Sequence, residues 1–136
     1  MTFLRRLPLA AAAALLILAG CSGDDETDED VACVAGQVCV CDDGCSETCG
    51  GDGSGCSFEC NGGHCDFSCP GGGCQAAAKG AASMSVDCPG DTCSVSCANT
   101  DSCVVTGCET NCTLTCNGAM TCESSCDELS ACVTTE

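Results

Sequence analysis

Residues 56–69 read Cys56-Ser57-Phe58-Glu59-Cys60-Asn61-Gly62-Gly63-His64-Cys65-Asp66-Phe67-Ser68-Cys69. Cysteine or phenylalanine stands at every second position of the two five-residue runs, and Ser or an acid stands between. That alternation is the mark of a short strand with one buried face. The intervening Asn61-Gly62-Gly63-His64 is turn chemistry. Cys93-Ser94-Val95-Ser96-Cys97 and Cys112-Thr113-Leu114-Thr115-Cys116 repeat the pattern, with turns at Pro70-Gly71-Gly72-Gly73, Pro89-Gly90-Asp91-Thr92 and Asn117-Gly118-Ala119-Met120-Thr121. From Cys65 the units begin at residues 65, 74, 84, 93, 103, 112, 122 and 132, in steps of 9 or 10. A metre this regular describes one small supersecondary unit stacked repeatedly, because a single unit cannot bury its apolar face alone.

Thirteen residues separate Cys74 from Cys88, but the register survives them. Ala76 and Ala78, then Met84 and Val86, fall on inward positions of two cysteine-poor units, so one continuous array is expected rather than two modules. Cysteines at i and i+4 of one strand stand about 13 Å apart, beyond the roughly 7 Å a disulfide spans. The last cysteine of one strand is therefore expected to join the first of the next and clasp the turn between them. That predicts Cys49–Cys56, Cys60–Cys65, Cys69–Cys74, Cys88–Cys93, Cys97–Cys103, Cys108–Cys112, Cys116–Cys122 and Cys126–Cys132, with Cys33, Cys39, Cys41 and Cys45 pairing among themselves. The gap fits the same scheme, because Ala78 and Met84, which would form the missing clasp, lack cysteine together.

Two successive units span about 19 residues, and in this the array resembles the calcium-binding beta-roll, whose strands alternate between two facing sheets. The expectation is a mainly β, disulfide-rich β-solenoid in that two-sheet form; irregular small disulfide-rich modules are the alternative. Glu47, Ser124 and Thr134 take inward centres near the two ends, as polar capping units do. The chain has no Trp or Tyr and only three Phe, one of them in the leader. A core so thin is where cross-links are added. Closing a loop of about six residues contributes about 2 kcal/mol, so eight clasps supply on the order of 15 kcal/mol at most.

The N-terminus sets the compartment. Arg5 and Arg6 precede an apolar run from Leu9 to Leu18, a secretory signal too short to span a bilayer comfortably. The run ends in Leu18-Ala19-Gly20-Cys21, which resembles the lipobox of bacterial lipoproteins. The resemblance implies cleavage before Cys21 and acylation of that residue, and several acyl chains give stable membrane anchoring. Thr2-Phe3-Leu4 and Leu7-Pro8 fit the twin-arginine consensus poorly, so Arg5-Arg6 reads as a plain basic leader. Ser22, rather than Asp, after the cysteine implies outer-membrane delivery in some such families. Export leaves twenty cysteines, an even number, in an oxidising compartment. The expected regions are a signal peptide over 1–20, a lipidated, disordered acidic tether over 21–30, an irregular cysteine-rich cap over 31–55 and the repeat solenoid over 56–136.

The whole chain carries a net charge of −17; removing residues 1–20 leaves Lys79 as the one Lys or Arg against twenty acids, or −19. Six of the acids fall in Asp24–Asp30, where mutual repulsion extends a tether. Such a surface repels nucleic acid and favours a cationic or basic protein partner.

Site chemistry is sparse. The only histidine, His64, has no nucleophile motif beside it, Cys-x-x-Cys spacing is absent, and the acids lie in turns and outward positions, so no enzyme is expected. Thiolate metal storage is the alternative function; metallothioneins, however, use Cys-x-Cys clusters and many lysines, and this chain has one such cluster, Cys39 and Cys41. Gly50-Gly51-Asp52-Gly53-Ser54-Gly55 is loosely similar to the beta-roll nonapeptide, but Gly55 replaces its ligand Asp, so bound Ca2+ is the weaker reading and solvated acidic turns the default. Thr113-x-Thr115 is similar to the ice-facing pairs of insect antifreeze solenoids. Ser57/Glu59, Asp66/Ser68 and Glu123/Ser125 at equivalent positions do not continue a threonine array. Together these features lead to the expectation of a lipid-anchored envelope structural or interaction protein with a rigid acidic scaffold.

Overall fold

Each strand is too short to bury its apolar face alone, and the chain solves this by coiling. The computed structural model describes residues 32–126 and the backbone of residues 132–135. Its strands are β1 (Val38–Cys41), β2 (Cys45–Thr48), β3 (Ser57–Cys60), β4 (His64–Ser68), β5 (Gln75–Lys79), β6 (Ser83–Asp87), β7 (Ser94–Ala98), β8 (Ser102–Cys108), β9 (Cys112–Asn117), β10 (Thr121–Cys126) and β11 (Cys132–Thr135). Odd-numbered strands form one parallel sheet and even-numbered strands a second, each in chain order. Ser57 pairs with Gln75, and Gln75 with Ser94, so the coil closes after 18 and then 19 residues. The fold is the expected two-sheet β-solenoid, of about five turns.

The alternation seen in sequence becomes inside and outside. Across the odd sheet the central inward column runs Phe58, Ala76, Val95, Leu114, and across the even sheet Phe67, Val86, Val105, all buried. Around these lie half-cystines, which supply most of the remaining core. Their neighbours in sequence, such as Ser94, Ser96, Thr113 and Thr115, are exposed.

Residues 38–48 differ from the irregular cap expected of 31–55, because β1 pairs with β3 and β2 with β4. No aromatic or branched hydrophobe marks their centres. Register alone puts Cys39 on Phe58 and half-buried Glu47 on Phe67. At the other end Ser124 pairs with Val105 and is exposed, and Thr134 pairs with Leu114. On the even sheet the apolar column thus ends in a polar residue at both ends, Glu47 and Ser124, whereas the odd-sheet column begins with the half-cystine Cys39.

The hydrogen-bond ladder continues round the bends. Gly71 N–H donates to Gly53 O at 2.8 Å, Gly73 N–H to Asp91 O at 2.7 Å, and Thr92 N–H to Thr110 O at 3.0 Å. Gly55, Gly73, Thr92 and Asn111, each just before a cysteine that opens a coil, all have positive φ. Glycine and asparagine adopt that conformation readily, whereas β-branched Thr92, at φ 64°, carries strain. The turn backbones also touch: a Cβ at Gly90 would lie 2.5 Å from Gly72 N.

Candidate functional site: the disulfide ladders and the two sheet faces

Clasped turns stacked in register become ladders. Among the described residues nine disulfides have both ends placed. At the bend leading from odd to even strands the rungs are Cys41–Cys45, Cys60–Cys65, Cys97–Cys103 and Cys116–Cys122. At the opposite bend they are Cys49–Cys56, Cys69–Cys74, Cys88–Cys93 and Cys108–Cys112. Each rung joins one sheet to the other. Cys33–Cys39 stands apart, because Cys39 occupies the central column rather than a bend. Cys126 is disulfide-bonded; the side chain of Cys132, its expected partner, lies outside the described residues.

The first ladder lacks a rung where Ala78 sits between Cys60 and Cys97 and Met84 between Cys65 and Cys103. Both are 1 % exposed, so the Met84 side chain fills space that a bridge occupies in neighbouring coils. In the second ladder adjacent rungs touch. The sulfurs of Cys49, Cys69 and Cys74 lie within 4.8 Å of one another, as do those of Cys69, Cys88 and Cys93. These triads have the composition of a soft-metal site, but every sulfur in them is already bonded to another.

Sequence reasoning missed the inward residues of the bends. In the longer bends the residue midway between the two inward strand ends turns into the core: Ala81 at 2 % exposure and Thr100 at 1 %. The Thr100 hydroxyl donates to Ala98 O at 3.3 Å, which satisfies it inside an apolar stack. The available signal was bend length, five residues between Ala78 and Met84 and between Cys97 and Cys103 against three between Cys41 and Cys45.

The other candidate residues take surface positions. His64 is exposed at the start of β4, its Nδ1 2.7 Å from Ser83 Oγ. In the Gly50–Gly55 turn, Asp52 Oδ1 accepts from Ser54 N–H at 3.1 Å and from the Ser54 hydroxyl at 2.8 Å. Those bonds, the hydroxyl first, hold the Asp52 carboxyl below its ordinary value. The carboxylate thus caps its own turn. Among the described residues no carboxylates gather into a group of three at metal-binding distance. Thr113 donates from its hydroxyl to Ser94 Oγ at 3.2 Å, along the outside of the odd sheet. Cys21, with the lipobox and the acidic run, lies outside the described residues.

The coil sorts outward positions that were equivalent in sequence onto two unlike faces. Asp66, Asp87 and Glu123 lie on the even sheet, and Asp42, Asp43, Asp52, Asp91, Asp101 and Glu109 on the bends. Among the described acids only Glu59 faces outward on the odd sheet.

No protein-family model matches the chain, and no match was found among curated proteins or solved structures.

Proposed function

We propose that this chain is a lipid-anchored structural or interaction element of a bacterial cell envelope, with a rigid acidic scaffold held away from the membrane by a charged tether. The observation that carries the reading is Leu18-Ala19-Gly20-Cys21 followed, after Ser22-Gly23, by six acids within Asp24–Asp30 and then by a disulfide-rich array. Acylation at Cys21 anchors the chain, and repulsion within Asp24–Asp30 extends the link to the solenoid. The stapled coil resists bending because each rung fixes one sheet to the other. Acids on the even sheet and both bends suit a cationic or basic protein rather than nucleic acid. Ser22 after Cys21 favours delivery to an outer membrane.

Metabolic labelling with an alkyne fatty acid tests the anchor. The expected result is label on the membrane-associated chain and loss of both label and association in Cys21→Ser. Unlabelled wild-type protein in the soluble fraction would overturn the reading.

The two sulfur triads favour one second reading, soft-metal storage by thiolates. It requires the bridges to be reduced in the native compartment. A thiol count with metal analysis on freshly isolated protein separates the two: no free thiols supports the scaffold, and most cysteines free with bound metal supports the store.

A further inference from the structure

Cys69 Sγ lies within 4.8 Å of sulfurs from two other bridges, that of Cys49 on one side and those of Cys88 and Cys93 on the other. Among the described residues no three sulfurs of the first ladder come so close, and there Ala78 and Met84 part the bridges into two halves. Backbone register puts the half-cystines of the second ladder side by side. Cys49 N–H donates to Ser68 O and Gln75 N–H to Cys56 O, so Cys49 sits beside Cys69 and Cys56 beside Cys74. The glycines of these bends let successive turns touch: a Cβ at Gly71 would lie 2.5 Å from Asp52 O. All the residues of these three bridges are buried, so a sulfur released there stays against its neighbours.

We propose that the second ladder is a thiol-triggered switch, in which two bridges that join the sheets exchange for two that join successive coils. Residues side by side on adjacent parallel strands are about 4.8 Å apart, inside the Cα range that a disulfide spans. An external thiol, ionised by loss of its proton to water, attacks Cys56; its sulfur bonds to Cys56 and the electron pair of the Cys49–Cys56 bond leaves on Cys49. The Cys49 thiolate attacks Cys69, forming Cys49–Cys69 and releasing Cys74. Cys74 then attacks the mixed disulfide at Cys56, forming Cys56–Cys74 and returning the external thiolate, which regains its proton. Two disulfides become two disulfides. Nothing is oxidised or reduced overall, and the thiol acts as a catalyst.

Cys49–Cys56 is the entry point because, among the described bridges, it spans the greatest sequence separation, 7 residues. Local opening of its glycine-rich bend, where Gly51 and Asp52 are exposed, brings the thiol to the buried sulfur. The same chemistry one coil on yields Cys69–Cys88 with Cys74–Cys93, since Cys69 N–H donates to Asp87 O and Ser94 N–H to Cys74 O. Cys69 serves only one neighbour at a time, so the two rearrangements exclude each other. The track stops there: Cys88 N–H donates to Thr106 O, which sets Gly107 beside Cys88 and carries Cys108 one residue further. The original bridges hold sheet to sheet, whereas the exchanged ones tie coil to coil and oppose stretching along the axis. The switch rests on the oxidised scaffold proposed above and is independent of the anchor.

The test takes oxidised full-length protein, shown by a thiol count in denaturant to carry no free thiols, and adds a substoichiometric amount of glutathione. Samples are quenched in acid and digested with pepsin, and tandem mass spectrometry assigns their bridges while circular dichroism follows the strands. The expected result is Cys49–Cys69 with Cys56–Cys74, or Cys69–Cys88 with Cys74–Cys93, at a rate that rises with pH as the thiolate fraction grows. The first ladder keeps its pairs and the strand signal persists. Cys69→Ser with Cys74→Ser removes the shared bridge and should abolish lateral bridging between Cys49–Cys56 and Cys88–Cys93; should that variant fail to fold, the contrast between the two ladders of the wild type decides. Unchanged bridges, lateral bridges formed equally in the first ladder, or bridges between distant coils would overturn the switch alone. Free thiols in the isolated protein would overturn the oxidised scaffold and the switch with it.

Discussion

Phe58 of the odd sheet and Phe67 of the even sheet stack across the core, ring centroids 4.5 Å apart and planes 11° from parallel. They are the two largest buried side chains, placed where the stack has just begun. Replacing Phe67 by Ala should cost about 3–5 kcal/mol. Thermal unfolding of the oxidised protein should show a clear fall in midpoint, while mass spectrometry still finds the bridges intact.

The vacant rung offers a gain. Ala78→Cys together with Met84→Cys should close a new bridge in line with Cys60–Cys65 and Cys97–Cys103. The expected increment is about 2 kcal/mol, less whatever packing Met84 contributes. A mass lower by two hydrogens and a raised unfolding midpoint in the double variant, with neither in Ala78→Cys alone, would verify it.

Positive φ separates two substitutions at one bend. Thr92→Gly should raise stability by about 1 kcal/mol, since the residue keeps its left-handed conformation without the Cβ penalty. Gly72→Ala should do the reverse and more strongly, because at φ 75° its new methyl also meets the Asp91 backbone. Denaturant midpoints of the two variants against wild type give both signs.

The repeat, the two-sheet coil and the clasped turns were legible because cysteine and hydrophobe recur at strand spacing, as in Cys56-Ser57-Phe58-Glu59-Cys60, and because i to i+4 reach along a strand forbids a bridge. β1 and β2 were not. Their inward positions hold Cys39, Cys41, Cys45 and Glu47, which carry no apolar signal apart from sulfur, and only pairing with β3 and β4 makes them strands. Thr100 was hidden for a related reason: a hydroxyl in a turn reads as solvated until the bend folds it inward. The two faces were invisible too. Ser57/Glu59 and Asp66/Ser68 look equivalent along the chain, and only alternation between sheets sends them to opposite sides.

Asp52 gives a pH signature. Its carboxyl is held below 3.8 by Ser54, hydroxyl first and N–H second. A depressed folded value means that its contribution to stability is present above 3.8 and is lost as pH falls through the folded value. Ser54→Ala should move the titration of Asp52 upward toward its ordinary value, measured by carboxyl carbon shifts in NMR.

Reduction tests the staples directly. The loop closures contribute on the order of the whole net stability of a domain this size. Excess dithiothreitol should abolish the strand signal in far-ultraviolet circular dichroism, and removal of the reductant with air oxidation should restore it. A spectrum unchanged by reduction in the presence of a chelator would mean that the bridges are dispensable.

Alternation between the sheets also governs how such a molecule changes length. Duplicating a segment of about 19 residues inserts a whole coil, and every later strand keeps its side. Duplicating half of that sends each downstream strand across the core, so that Lys79 and Glu59, if separated by the insertion, end on opposite flanks. Evolution can therefore draw this rod out as a ruler, but only in full increments.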